Sequence, residues 1–249
     1  MLHRKDIVFT KPPIFRPGIE EYATAHTSPV AGELHQIQQR TQRECPQWAD
    51  IASTSIQAVF LGMLVSLAQA RNVLEVGTFT GHGAVAMASA LPADGKVITV
   101  DSFVADEQAR AVAKSAFDAS PHGHKIRLVE GDALDVLGEV NGTFDIIFVD
   151  ADKPNYQRYF DRIMQRRLLS PHGLLIFDNT LWGGAVTDPP PASGVELDRT
   201  TDADEWLRAM RGDWARHLAA FNASITADPR VENVLLTVRD GMTLIRHAR

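Results

Sequence analysis

Five short, largely β-branched apolar runs recur along the middle of the chain, at 72–76 (NVLEV), 96–100 (KVITV), 126–129 (IRLV), 144–149 (FDIIFV) and 173–177 (GLLIF). Stretches with helical spacing lie between them, near 82–91, 104–119, 133–138 and 155–168. Near-continuous apolar runs separated by helices predict a parallel sheet covered on both faces. Ahead of this block, Ile56, Val59, Phe60, Met63, Leu64 and Leu67 follow i, i+3, i+4, i+7 spacing. They predict an amphipathic helix over 54–70, with Ser53 or Thr54 as its N-cap. Residues 203–221 predict another helix, and the two strand-like runs around Asp240-Gly241 predict a hairpin. The expected fold class is α/β: a doubly wound, mostly parallel seven-stranded sheet with helices on both faces and a C-terminal antiparallel hairpin. Residues 1 to about 50 are polar and Pro-rich, with a weak helical pattern from Glu33 to Arg43. They read as an N-terminal arm packed on a core of residues 51–249, with no linker between, so 1–249 is read as a single domain.

Composition narrows the partners. The chain has 249 residues, 45% of them hydrophobic, which is enough for one substantial core. Its net charge of −6 counts against nucleic acid, because binding to phosphate backbones depends on many Lys and Arg contacts. The single cysteine, Cys45, cannot close an internal disulfide, which fits a reducing compartment. No apolar run approaches the ~18 residues of a membrane span. The expectation is a cytoplasmic protein without a membrane partner.

Chemistry enters at the strand ends, since ligands of open α/β sheets sit beyond the carboxyl ends of the strands. The first end reads VLEVGTFTGHGAVAMA. Gly77 and Gly81 allow a tight turn and close backbone approach, and the following helix N-terminus attracts negative charge. A dinucleotide site would want G-x-G-x-x-G, but Phe79 stands two positions after Gly77. Glu75, before the loop, suits a cationic ligand better than a pyrophosphate. The second strand ends at Asp101, where an acid can take both hydroxyls of a ribose. The third ends in Gly131-Asp132-Ala133, where an adenine edge can be read. E-x-G-x-x-x-G followed by these two strand ends resembles the class I S-adenosylmethionine-dependent methyltransferases, with their Rossmann-like fold.

The fourth strand runs into FVDADKPNY and the fifth into IFDNTLWGG. Neighbouring strands lie ~4.8 Å apart, so Asp150, Asp178 and Asn179 can converge. Two carboxylates and an amide form an all-oxygen donor set suited to a hard divalent ion, Mg2+, Ca2+ or Mn2+. The competing reading is helix capping by Asp150 or Asp152 and a simple turn at Asp178-Asn179. The nine histidines form no H-E-x-x-H pattern, which argues against zinc. His26 and His82 read as surface or loop residues, and Trp48, Trp206 and Trp214 as packing residues.

FVDADKPNY and FDNTLWGG together resemble the metal-dependent O-methyltransferase family that includes caffeoyl-CoA and catechol O-methyltransferases. EYATAHTSPV, the glycine-loop segment and the closing DGMTLIRHAR also resemble its bacterial members. The resemblance implies S-adenosyl-L-methionine as methyl donor, a divalent cation (Mg2+ first, Ca2+ or Mn2+ as alternatives) and a homodimer. It implies Asp150, Asp178 and Asn179 as metal ligands, Asp152 on the cofactor side and Lys153 as the base beside the acceptor hydroxyl. Ser53, Glu75, Gly77, Asp101 and Ala133 match cofactor-contacting positions. Thr78, Gly81, Gly83, Ser102, Asp132 and Asp150 belong to the same cofactor set. Trp182 and Gly183 fall at the acceptor pocket, with Trp182 as a wall for a planar ring. Gly83 departs from the pattern, standing where plant members carry a serine that bonds the methionine carboxylate. The loop 187–200 (TDPPPASGVELDRT) matches no known substrate preference.

Methyl transfer from a sulfonium to oxygen is a direct displacement that needs an aligned, phenolate-like nucleophile. Phenols have a pKa near ~10, so chelation by a divalent ion and a nearby base would supply the anion. Catalytic roles are therefore expected for Lys153 and Asp150, with a vicinal-dihydroxy small molecule such as a catechol as the acceptor. The alternative within the family is O-methylation of a hydroxylated uridine in tRNA. A nucleotide-binding dehydrogenase is a third reading, opposed by Phe79 and by the Asp178-Asn179 pair.

Overall fold

All five apolar runs become parallel strands of one sheet in the computed structural model, which describes residues 18–46, 54–104, 107–189 and 203–249. These are β1 (Asn72–Val76), β2 (Lys96–Asp101), β3 (Ile126–Glu130), β4 (Phe144–Val149) and β5 (Leu169–Asp178). The hairpin supplies β6 (Val231–Leu236) and β7 (Met242–His247), antiparallel to each other, with β7 antiparallel to β5. Strand order is β3-β2-β1-β4-β5-β7-β6, the expected seven-stranded architecture.

Helices are α1 (Ile19–Ala25), α2 (Gly32–Glu44), α3 (Ser55–Leu67), α4 (His82–Ala90), α5 (Glu107–Ala119), α6 (Ala133–Glu139), α7 (Tyr156–Arg166) and α8 (Ala203–Ala227). The pleat divides each apolar run between two cores. Val73, Ile146, Phe148 and Ile176 face α2 to α5, while Leu74, Ile147, Val149 and Phe177 face α7 and α8. That two-sided burial is why the runs are continuous rather than alternating. The described part of the arm packs on the core through Leu34 and Ile37 of α2.

Several boundaries differ from the expectation for identifiable reasons. β5 begins at Leu169, because Pro171 and Gly173 ride a register shift between Phe144 and Ile146 instead of ending the strand. α8 continues to Ala227, since Ile225 repeats the buried spacing of Leu218 and Phe221 beyond polar Asn222. α3 stops at Leu67, just before Gln69 takes a left-handed φ of 50°. The hairpin connection spans residues 237–241, with Arg239 and Gly241 at φ 53° and 87°, rather than a two-residue turn. Ser53, Trp48, residues 1–17 of the arm and the loop from 190 onward lie outside the described residues. Among the described residues, no helix is long and apolar enough to cross a membrane.

Candidate active site

Strand order reverses between β1 and β4, so chain connections leave a crevice beyond their carboxyl ends. Gly77 and Asp150 meet there. Gly77 has φ 102°, and a Cβ on it would lie 2.1 Å from the Asp150 carbonyl oxygen, so only glycine fits. Gly81, at φ 84°, opens α4. The loop between them is held by Asp101, whose Oδ2 accepts the N–H groups of Thr78 (3.0 Å) and Phe79 (2.9 Å). Asp101 Oδ1 accepts Phe103 N–H at 2.8 Å. A carboxylate offers about four acceptor positions, so Asp101 keeps capacity for a further hydroxyl.

Glu75 is buried on the α4 side of the sheet. Its Oε2 accepts from Thr99 Oγ1 at 2.5 Å, and the Thr99 hydroxyl meets that of Thr78 at 2.6 Å. Burial pushes the Glu75 carboxyl up to about 8, against the hydrogen bond from Thr99, and Asp150 and Asp101 push it further in the same direction. A Cβ on Gly83 would lie 2.3 Å from Glu75 Oε1, so the acid occupies the space a side chain at 83 would need. On the flanking strands, Ser102 is exposed after β2, and Asp132 caps α6 by accepting Leu134 N–H at 2.8 Å. Ala133 is the first residue of that helix. His82, expected at the surface or in a loop, is instead buried as the first residue of α4. Among the described residues neither ring nitrogen has a hydrogen-bond partner, and burial lowers its pKa to about 4. His26 is exposed, as expected, and bonds the Tyr22 carbonyl.

On the β4–β5 side, register places Val149 beside Phe177, which brings Asp150 and Asp178 to adjacent strand ends. Asp152 stands at the N-cap of the short 3-10 turn Lys153–Asn155, but its side chain accepts no capping N–H there. Lys153, itself buried, donates to Asp150 Oδ1 at 2.8 Å and to the Tyr156 hydroxyl at 2.7 Å. Tyr156 in turn donates to the Asp178 carbonyl at 2.7 Å. Asp152 accepts Asn155 Nδ2 at 2.6 Å and the Tyr159 hydroxyl. Asp178 is fully buried, and its carboxyl is pushed up to about 8 by burial first and by Asp150 second, with Lys153 opposing. Its Oδ1 accepts Asn179 N–H at 2.8 Å and its Oδ2 accepts Gln57 Nε2 at 2.5 Å.

Among the described residues, no group of three or more His, Cys, Asp or Glu side chains is arranged to hold a metal. The set here is two carboxylates and an amide, and its chemistry fits a hard cation. Each Asp178 oxygen carries one donor and keeps a lone pair. No described residue hydrogen-bonds the Asn179 side chain, and the two neighbouring acids hold one of their number at a pKa near 8. Beyond them, the Trp182 and Trp214 rings pack as a tilted pair, with centroids 5.2 Å apart and planes at 39°. Asp240 Oδ1 accepts Gly183 N–H at 2.5 Å, and its carbonyl accepts Leu181 N–H at 2.9 Å.

The sequence profile described as O-methyltransferase matches residues 24–248. The chain belongs to that O-methyltransferase family. It is of the caffeoyl-CoA type, class I and S-adenosylmethionine-dependent. Caffeoyl-CoA O-methyltransferase 2 of Petunia hybrida is 36% identical over 205 residues, covering 80% of this chain and 77% of that protein. Tricin synthase 1 of Oryza sativa subsp. japonica is 35% identical over 209 residues, covering 80% and 76%. The SAH-bound methyltransferase PaMTH1 of Podospora anserina superposes with a TM-score of 0.81 at 25% identity, over 94% of this chain and 97% of that one.

In this O-methyltransferase, sequence reasoning missed Gln57, Thr99, Tyr156, Tyr159 and Asp240, which complete the hydrogen bonds of the site. Gln57 carried a signal. Thr54-x-x-Gln57 is a capping-box pattern, and the box is present at the start of α3. Asp240 read as a turn residue, and its second role depends on β7 lying next to β5.

Proposed function

We propose that this O-methyltransferase methylates one hydroxyl of a catechol-like, vicinal-dihydroxy small molecule, with a divalent cation held by Asp150, Asp178 and Asn179. The observation that carries the reading is the meeting of Asp150 and buried Asp178 beside Lys153, an excess of acid that a cation would balance. Relatives named caffeoyl-CoA O-methyltransferase support a small hydroxylated acceptor.

When bound, the ion supplies Lewis-acid polarisation of two adjacent hydroxyls, favouring the phenolate form at neutral pH. Lys153 is the proton acceptor for the reacting hydroxyl, and Asp150 and Tyr156 fix its position. The backbone turn at Trp182-Gly183, tied to Asp240, borders the acceptor. The glycine loop, Glu75, Asp101, Ala133 and Asp152 hold the methyl donor, with Glu75 meeting its cationic methionine end and Asp101 its ribose. Asp101 keeps the loop ordered while it does so. These residues align donor and acceptor for in-line displacement, which lowers the barrier by removing the entropy cost of bringing the two together.

The test is transfer of a labelled methyl group from S-adenosylmethionine to a panel of catechols and to tRNA, with and without EDTA, followed by Mg2+, Ca2+ or Mn2+ replacement. Catechol methylation that EDTA abolishes and Mg2+ restores is the expected result. Activity unaffected by EDTA and by Asp150→Ala overturns the metal role, and methylation of tRNA alone overturns the acceptor class.

A further inference from the structure

Gln57 and Asp178 are separated by 121 positions, yet the Gln57 side chain reaches Asp178 inside the core. Gln57 is buried in the first turn of α3. Its two amide atoms do different things. Oε1 accepts Thr54 N–H at 2.9 Å and the Thr54 hydroxyl at 3.2 Å, closing the capping box of α3. Nε2 donates to Asp178 Oδ2 at 2.5 Å. Flipping the amide would set its oxygen against the carboxylate and its NH2 against the Thr54 N–H, two repulsive contacts in place of two bonds. The cap therefore decides which end of the amide faces Asp178, and that end is always a donor.

We infer that Gln57 is a positioning residue for Asp178, holding its carboxylate in the rotamer that turns its free lone pairs toward Asp150 and Asn179. The inference rests on the proposed role of Asp178 as a cation ligand. Among the described residues Asp178 Oδ1 is tethered only to the adjacent Asn179 N–H, a local bond that moves with the strand end. The bond from Gln57 is the tether from another element, so the rotamer is referenced to α3 and its cap. Hydrogen-bonding partners that orient metal-ligating carboxylates typically account for about 10–100-fold in metal affinity.

The experiment compares Gln57→Met with Thr54→Ala, measuring Mn2+ binding by paramagnetic resonance in the absence of cofactor and acceptor, alongside thermal melting. Thr54→Ala weakens the cap but leaves the Gln57–Asp178 bond in place. The expected result is Mn2+ affinity reduced about 10-fold or more in Gln57→Met and changed less than about 2-fold in Thr54→Ala. Activity of Gln57→Met is expected to return as Mg2+ is raised, because a positioning defect in a cation site yields to mass action. Equal Mn2+ affinity in both variants and the parent protein makes Gln57 a capping residue only and overturns the inference, while the metal reading stands. No Mn2+ binding by the parent protein overturns both. If Gln57→Met does not fold, the same Mn2+ titration on Gln57→Asn, whose shorter amide does not span to Asp178, decides by the same criteria.

Discussion

Lys153 Nζ lies 2.8 Å from Asp150 Oδ1, three residues earlier in the chain, and the lysine is buried although it stands just past a strand end. Most strand-end lysines are solvated. Here two of the three ammonium donors are used, on Asp150 and on Tyr156, in a place shielded from water. Lys153→Met is therefore expected to lower kcat by about 10²–10⁴-fold, the usual range for a general base, while leaving S-adenosylmethionine affinity within about 3-fold. Lys153→Arg should not rescue it, because a guanidinium stays charged. Single-turnover methyl transfer and calorimetric titration of the donor check both parts, and wild-type rates in Lys153→Met would remove the base assignment.

Buried Glu75 predicts an unusual pH dependence of the ligand-free protein. Its folded pKa of about 8 lies above the ordinary 4.5, so the folded state binds a proton that the unfolded state has released between those values. Its contribution is full below pH 4.5 and is lost as pH rises toward 8, with a slope of at most ~1.4 kcal/mol per pH unit. Glu75→Gln should flatten part of this slope in chemical denaturation across the window. Asp178, pushed the same way, accounts for a remaining part.

His82 acts at the other end of the pH scale. Its pKa falls from 6.5 to about 4 on burial, so the unfolded state binds the proton first as the solution is acidified. The stability it permits is complete above pH 6.5 and declines as pH falls toward 4. His82→Leu should melt higher than the parent at pH 5. At neutral pH it should be neutral or stabilising, because it removes two buried nitrogens that no described residue hydrogen-bonds. A lower melting temperature for His82→Leu at both pH values would show that the imidazole has a partner the structure lacks.

Gly77→Ala is expected to destabilise the fold by at least about 2 kcal/mol, through both a positive φ and a clash with the Asp150 backbone. The same substitution at Gly142, also at positive φ but with nothing within 4 Å of its Cβ position, should cost less. Urea denaturation of the pair separates backbone strain from close approach. Equal losses would mean that the approach of β1 to β4 is unimportant.

Much of the architecture was legible from local patterns. Apolar runs such as FDIIFV have one physical use, burial on both faces, and the helical spacing of Ile56 to Leu67 has one too. The choice between capping and ligand binding for Asp150 and Asp152 was not legible. Both roles use an acid at a strand end, and only side-chain direction separates them. In the structure the Asp150 side chain meets Lys153, that of Asp152 meets Asn155 and Tyr159, and Asp132 caps α6.

The sequence by itself determined the strands and helices, the glycine at 77, and which residues carry charge at the strand ends, because these follow from short-range sterics and periodicity. Tertiary structure alone decided that Gln57 meets Asp178, that Asp240 holds Gly183 and that His82 is buried. The physical reason is that hydrogen bonds between elements depend on sheet order and register, which put residues distant in sequence within bonding distance. Burial then sets the ionisation of Glu75 and Asp178, since the cost of charging an acid depends on what surrounds it.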